Sequence, residues 1–175
     1  MIKAARRAHV RVRAGVQCAF GCAFEGPVAV ETVYRMVAES LDTGVDLISL
    51  ADTTGMATPA TVDGMLERLL PVLGDTPLVL HFHDTRGLGL VNLKTALEHG
   101  VDRFDTSLGG MGGCPFIPGA AGNIATEDTL HLLAAAGIES GIDMTAVAAC
   151  TRRLEEHFRT RFPGRMHRVL VSGEV

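Results

Sequence analysis

Four short apolar runs alternate with stretches of helical periodicity, and this alternation limits what the 175-residue chain can fold into. The runs begin near residues 10, 45, 78 and 101. From Val10 to Cys18 the residues alternate: Val12, Ala14, Val16 and Cys18 share one face, and Arg11, Arg13, Gly15 and Gln17 the other. Pro27 to Thr43 reads as a helix with a stripe of Val33, Met36, Val37, Ser40 and Leu41, stopped by Gly44. Val45 to Ala51 is a second strand ending at Asp52, and Thr58-Pro59 opens a helix through about Val72. Leu78 to His83 is a third strand, Gly87 to His99 a helix, and Val101 to Ser107 a fourth strand. Helices near Ala125–Ala136 and Met144–Arg161 follow. Strands separated by helices pair in parallel, because each crossover returns the chain to the same end of the sheet.

Apolar residues make up 47% of the chain, enough to bury a core, and the length suits one domain spanning 1–175. The net charge of −4 argues against nucleic acid as a partner. No run approaches the ~18 apolar residues of a membrane span, and no apolar stretch follows the basic start as a secretory signal requires. Cys18, Cys22, Cys114 and Cys150 form no CxxC pair. The expectation is a cytoplasmic protein with reduced thiols, Cys18 and Cys22 lying in the core. Lys3, Arg6, Arg7, Arg11 and Arg13 precede the first acid, Glu25, but lead directly into a strand pattern. They read as the polar face of a helix end and a strand rather than a transit peptide.

Polar residues gather where strands end. Asp52, His81 and His83 lie at strand carboxyl ends, and Cys114 lies in the loop after the fourth strand. Barrel enzymes build their active sites there. No GxGxxG follows any strand, so a nucleotide site has little support. His81 and His83 sit at i and i+2 and project from one face, which suits two imidazoles on one divalent ion. Asp52, in Asp52-Thr53-Thr54-Gly55, reads as a site carboxylate or as a turn residue, which the Thr-Thr-Gly sequence favours. Its register puts it on the face of Ile48 and Leu50. Cys114 follows Gly109, Gly110, Gly112 and Gly113, in a loop free to adopt positive φ. A thiol with an ordinary pKa of ~8.5 can move protons there. Asn123 reads as a metal ligand through its amide oxygen or as a helix cap. Glu25 reads as a turn residue.

Together these residues resemble the hydroxymethylglutaryl-CoA lyase family of barrel metallo-lyases. The resemblance runs from about Val10 to about Ala148. It rests on Cys18-Ala19-Phe20-Gly21-Cys22-Ala23-Phe24-Glu25-Gly26, on Leu50-Ala51-Asp52-Thr53-Thr54-Gly55, and on His81-Phe82-His83-Asp84-Thr85. Its most specific part is Gly109-Gly110-Met111-Gly112-Gly113-Cys114-Pro115-Phe116 and the continuation Gly119-Ala120-Ala121-Gly122-Asn123-Ile124-Ala125-Thr126-Glu127-Asp128. The resemblance implies an α/β fold of the (β/α)8 TIM-barrel family. It implies His81, His83 and Asn123 as ligands of Mg²⁺ or Mn²⁺, Cys114 as the catalytic thiol, and Asp52 beside the hydroxyl and carboxylate of an acyl-CoA substrate. The implied reaction cleaves 3-hydroxy-3-methylglutaryl-CoA to acetyl-CoA and acetoacetate.

The chain departs from that family in length. Members begin with four further strand–helix units, which carry an acidic metal ligand and a cationic group on the first strand. The residues here correspond to strands five to eight, a half-barrel of about four β/α units. The expectation is an incomplete active site, completed by an amino-terminal half or leaving a homo-oligomer. Two other readings stand beside the lyase. One is an aldol-type synthase joining acetyl-CoA to a 2-oxo acid, which needs the histidines but not Cys114. The other is a non-catalytic metal-binding remnant.

Overall fold

The computed structural model describes residues 2–113, 117 and 119–170. The elements in chain order are α1 (Ile2–Arg7), β1 (Arg13–Val16), α2 (Val30–Asp42), β2 (Leu47–Ala51), α3 (Pro59–Leu73) and β3 (Leu78–His81). They continue with α4 (Gly89–Glu98), β4 (Phe104–Asp105), a single 3₁₀ turn at Leu108–Gly110, α5 (Thr126–Ala135), α6 (Met144–Phe158) and α7 (Met166–Val169). The strands form one sheet in the order β1-β2-β3-β4, and every pair is parallel. This is a partial TIM-barrel-like α/β fold.

Local chemistry explains where the helices begin and end. Thr58 and Thr61 form a reciprocal capping box at the start of α3, with Pro59 in the first turn. Asp143 caps α6 by accepting from the backbone N–H groups of Thr145 and Ala146 at 2.9 and 3.0 Å. The chain leaves α2 through Gly44, whose φ of +74° suits a residue without Cβ.

The ladder register sorts the strand side chains onto two faces. Ala14, Val16, Ile48, Leu50, Leu78, Leu80 and Phe104 share one face. That face meets Val33 and Val37 of α2, Val62, Met65, Leu66 and Leu69 of α3, and Leu93 and Ala96 of α4 in one apolar core. The opposite face carries Arg13, Gly15, Leu47, Ser49, Ala51, Val79, His81 and Asp105. The helices α2, α3 and α4 pack on the first face, and Arg13, Ser49, His81 and Asp105 lie on the other.

Two strands are shorter than their patterns suggest. The alternation from Val10 to Cys18 yields only Arg13–Val16, because Cys18 turns through φ +51° and donates its N–H to Thr53 Oγ1. The run from Val101 to Ser107 yields Phe104–Asp105, because Ser107 pairs with Ala125 rather than with β3. Cys18 and Cys22 are half-buried, not core thiols, since both lie in the turns after β1. Among the described residues no helix is long and apolar enough to cross a membrane.

Candidate metal centre

His81 ends β3 and His83 stands two residues beyond it, so the two imidazoles leave the sheet on the same face, away from the apolar core. Between them Phe82 points the other way and is fully buried. The His81 and His83 Nε2 atoms lie 3.2 Å apart, their rings inclined by 56°. Burial holds both imidazoles below the ordinary histidine range. For His81, Asp105 opposes this and Arg13 adds to it; for His83, its neighbour His81 adds to it and the nearby Asn123 amide opposes it. Both rings are therefore neutral near pH 7, the form a metal requires.

Asn123 reaches this pair through backbone pairing. Gly122–Ile124 runs antiparallel to Phe82–Asp84: Asp84 donates its N–H to the Gly122 carbonyl at 2.6 Å, and Ile124 to that of Phe82 at 3.2 Å. The Asn123 amide N–H₂ donates to the Met111 carbonyl at 2.9 Å, which fixes the amide and leaves Oδ1 as its other end. Asn123 Oδ1 and His83 Nδ1 are buried without a hydrogen-bond partner. Buried polar atoms of that kind call for an explanation, and a cation is one for the oxygen.

The donor set fits a divalent ion. Two nitrogens bound at ~2.1 Å and at a right angle to each other stand about 3 Å apart, which matches the Nε2 separation. Two imidazoles and an amide oxygen suit Mg²⁺ or Mn²⁺ less tightly than a set with carboxylates. Among the described residues no three His, Cys, Asp or Glu side chains converge as a metal cluster.

Asp52 is not part of this centre. It is fully buried on the Ile48–Leu50 face, opposite the histidines, and its Oδ1 accepts from the N–H groups of Met56 and Ala57 at 2.8 and 3.0 Å. The carboxyl lies inside the turn that leads into α3, where the His83 backbone also reaches it. Burial raises its carboxyl to about 6, against the pull of the Ala57 and Met56 N–H groups. Cys114 lies outside the described residues. Glu25 is an exposed turn residue inside the small loop closed by Cys22 and Gly26.

The base of the glycine loop is built rather than loose. Gly110 donates to the Ser107 carbonyl and Met111 to that of Leu108, each at 2.9 Å. Gly109 donates to Glu127 Oε2 at 2.9 Å, and Thr151 Oγ1 donates to Glu127 Oε1. Glycine is required at Gly122, φ +82°, where a Cβ would stand 1.8 Å from the Gly112 carbonyl oxygen. Glu127 has no solvent exposure, and sequence reasoning passed over it. The available signal was a Glu-Asp pair opening α5, where acids usually face water; Asp128 is buried too and accepts from the N–H groups of Arg165 and Met166 at the start of α7. Arg86 also went unnoticed. Its guanidinium donates to the Thr54 and Gly55 carbonyls, each at 2.7 Å, and ties the β2–α3 loop to the β3–α4 loop. A cavity of about 710 Å³ lies between α5 and α6 around Ile138–Asp143, and neither histidine lines it.

Comparison with known proteins bears on this geometry. The profile of the HMGL-like family matches residues 1–153. A hydroxymethylglutaryl-CoA lyase of Bacillus subtilis is 39% identical over 168 residues, 96% of this chain and 56% of that protein. An (R)-citramalyl-CoA lyase of Chloroflexus aurantiacus is 42% identical over 146 residues, 83% of this chain and 46% of that one. An HMG-CoA lyase of Acinetobacter baumannii, solved with coenzyme A and 3-methylmalate, superposes with a TM-score of 0.89 at 40% identity, covering 95% of this chain and 54% of that one. The chain spans about half the length of the curated relatives it matches.

Proposed function

This chain belongs to the HMGL-like family, and from that premise we propose that it supplies the metal-binding half of a carbon–carbon lyase acting on a 3-hydroxyacyl-CoA. The observation that carries the reading is the convergence of the His81 and His83 Nε2 atoms beside the unpartnered Oδ1 of Asn123. His81, His83 and Asn123 hold Mg²⁺ or Mn²⁺. Such an ion, if bound there, would acidify the substrate's tertiary hydroxyl.

Cleavage needs a base to take the proton of that hydroxyl, the bond between Cα and Cβ of the acyl group to break, and the electron pair to pass into the thioester enolate. The enolate carbon then takes up a proton. Cys114, which follows Gly113 in sequence, gives that proton from its thiol. Gly122 and Gly112 bring the loop against Asn123, so the thiol's loop and the ion's ligand are held by one set of backbone contacts. The neutral imidazoles keep the site free of a competing positive charge.

The preferred substrate is 3-hydroxy-3-methylglutaryl-CoA, released as acetyl-CoA and acetoacetate. Citramalyl-CoA is the second candidate, favoured by the 42% identity to a lyase named for it. The test supplies the amino-terminal half of a related lyase as a separate chain and follows cleavage of both thioesters with Mn²⁺. Cys114→Ala abolishing cleavage supports a lyase. Turnover that instead joins acetyl-CoA to a 2-oxo acid and survives Cys114→Ala identifies a synthase. Mn²⁺ binding without any turnover marks a metal-binding remnant.

A further inference from the structure

Arg13 opens β1 and Asp105 ends β4, the two outermost strands of the sheet, yet their side chains meet. Arg13 Nη1 donates to Asp105 Oδ1 at 3.2 Å and Nη2 donates to Oδ2, a two-point pairing. The same Nη2 donates to Ser49 Oγ of β2 at 2.6 Å. Neighbouring strands lie ~4.8 Å apart, so three intervals put the edges of a flat sheet ~14 Å apart. The pair closes because the sheet curls around this face. It crosses directly beside His81, which is the ladder partner of Asp105. Asp105 Oδ2 stands 3.7 Å from His81 Nδ1, while His81 Nε2 faces His83 on the other side of the ring.

We propose that Asp105, clamped by Arg13, is a positioning residue that keeps the proton of His81 on Nδ1 and leaves the Nε2 lone pair for a metal ion. The inference rests on the metal-half reading above. A carboxylate facing the far nitrogen of a ligand histidine fixes its tautomer and ring orientation, and its loss typically weakens metal binding ~10–100-fold. Arg13 has a distinct part. It holds the carboxylate in place through its two-point pairing and its bond to Ser49. His83 is approached by the Asn123 amide rather than by a carboxylate, and its Nδ1 is buried without a hydrogen-bond partner. The two ligands are therefore unequal, and His81 is the one the fold prepares in advance.

The experiment labels the histidines with ¹⁵N and reads the His81 tautomer in the metal-free chain from long-range proton–nitrogen couplings, then titrates Mn²⁺ by electron paramagnetic resonance. Wild type shows His81 with its proton on Nδ1. Asp105→Ala moves the proton population toward Nε2 and weakens Mn²⁺ binding about 10–100-fold. Asp105→Asn keeps the volume and one acceptor, so it gives the same shifts in smaller measure and decides the matter should the alanine variant not fold. Variants that lose stability but leave the tautomer unchanged and Mn²⁺ affinity within about twofold assign the pair a purely structural role and overturn the proposal. Failure of wild type to bind Mn²⁺ overturns the metal-half reading instead, and the tautomer still tests the positioning.

Discussion

At the scale of single residues, a carboxylate at the end of a strand has two possible meanings, and Asp52 and Asp105 divide them. Each follows an apolar run, but Asp52 falls on the face of Ile48 and Leu50, whereas Asp105 falls on the face of His81. Register could be read from the alternation alone, and it put Asp52 among the core residues; Asp105 gave no local sign of its partner Arg13, 92 residues away. The buried Asp52 carries a testable pH signature. Its pKa rises from 3.8 to about 6 on folding because burial disfavours the charged form. Between those values the unfolded chain releases the proton more readily, so this group's stability contribution is fully present below about pH 4 and is lost as pH rises through about 6. The loss amounts to about 3 kcal/mol by pH 7. Asp52→Asn keeps an oxygen for the Met56 and Ala57 N–H groups and cannot ionise. Urea denaturation of both proteins from pH 4 to 7 is expected to show the variant gaining on wild type as pH rises, with a stability difference that grows by up to about 3 kcal/mol. A pH-independent difference would count against an Asp52 carboxyl titrating in this window.

At the scale of elements, the parallel order of four strands and the identity of five helices followed from periodicity and caps, because those signals are local. The misses are non-local. Helix α7 is four residues long and is held by Asp128 of α5, 37 and 38 residues earlier, a contact with no trace in the sequence around Met166. The glycine loop was recognised by composition, but its anchoring was not. Glu127 joins the loop, α5 and α6 by accepting from Gly109 and Thr151 with no access to water. Removing it leaves two donors without their charged partner, and hydrogen bonds to charged groups contribute ~1.5–3 kcal/mol each. Glu127→Ala is therefore expected to lower stability by about 3 kcal/mol and to speed amide exchange at Gly109–Met111 ahead of global unfolding. Glu127→Gln keeps an acceptor and is expected to lose less. Gly122→Ala acts on the same element from the other side, since the added Cβ meets the Gly112 carbonyl oxygen. It is expected to weaken Mn²⁺ binding through Asn123 by about tenfold or more, read by calorimetry; unchanged affinity would show that the loop does not set the amide.

At the scale of the whole molecule, the outer edges of β1 and β4 pair with no strand among the described residues, and the face between them carries the candidate metal ligands. Unpaired strand edges recruit other strands. Light scattering at micromolar concentration is expected to show a dimer or larger assembly of the chain alone. A second copy brings the same two histidines and the same asparagine, and no further carboxylate convergent with them among the described residues. Self-association therefore closes edges without completing the donor set. The chain spans about half the length of the curated relatives it matches, and on the proposed reading an acidic ligand and a cationic group are expected from the other half. Preorganised charge at the reacting atoms is the largest single contribution in many enzymes, and one lost contact of this kind typically costs ~10²–10³ in rate. The lone chain is expected to release acetoacetate from hydroxymethylglutaryl-CoA at least ~10²-fold more slowly than the same chain mixed with the amino-terminal half of a related lyase. Mixing is also expected to replace the self-associated form by a one-to-one complex. Full turnover by the lone chain, unchanged on mixing, would mean that the groups stabilising the enolate lie within these 175 residues after all.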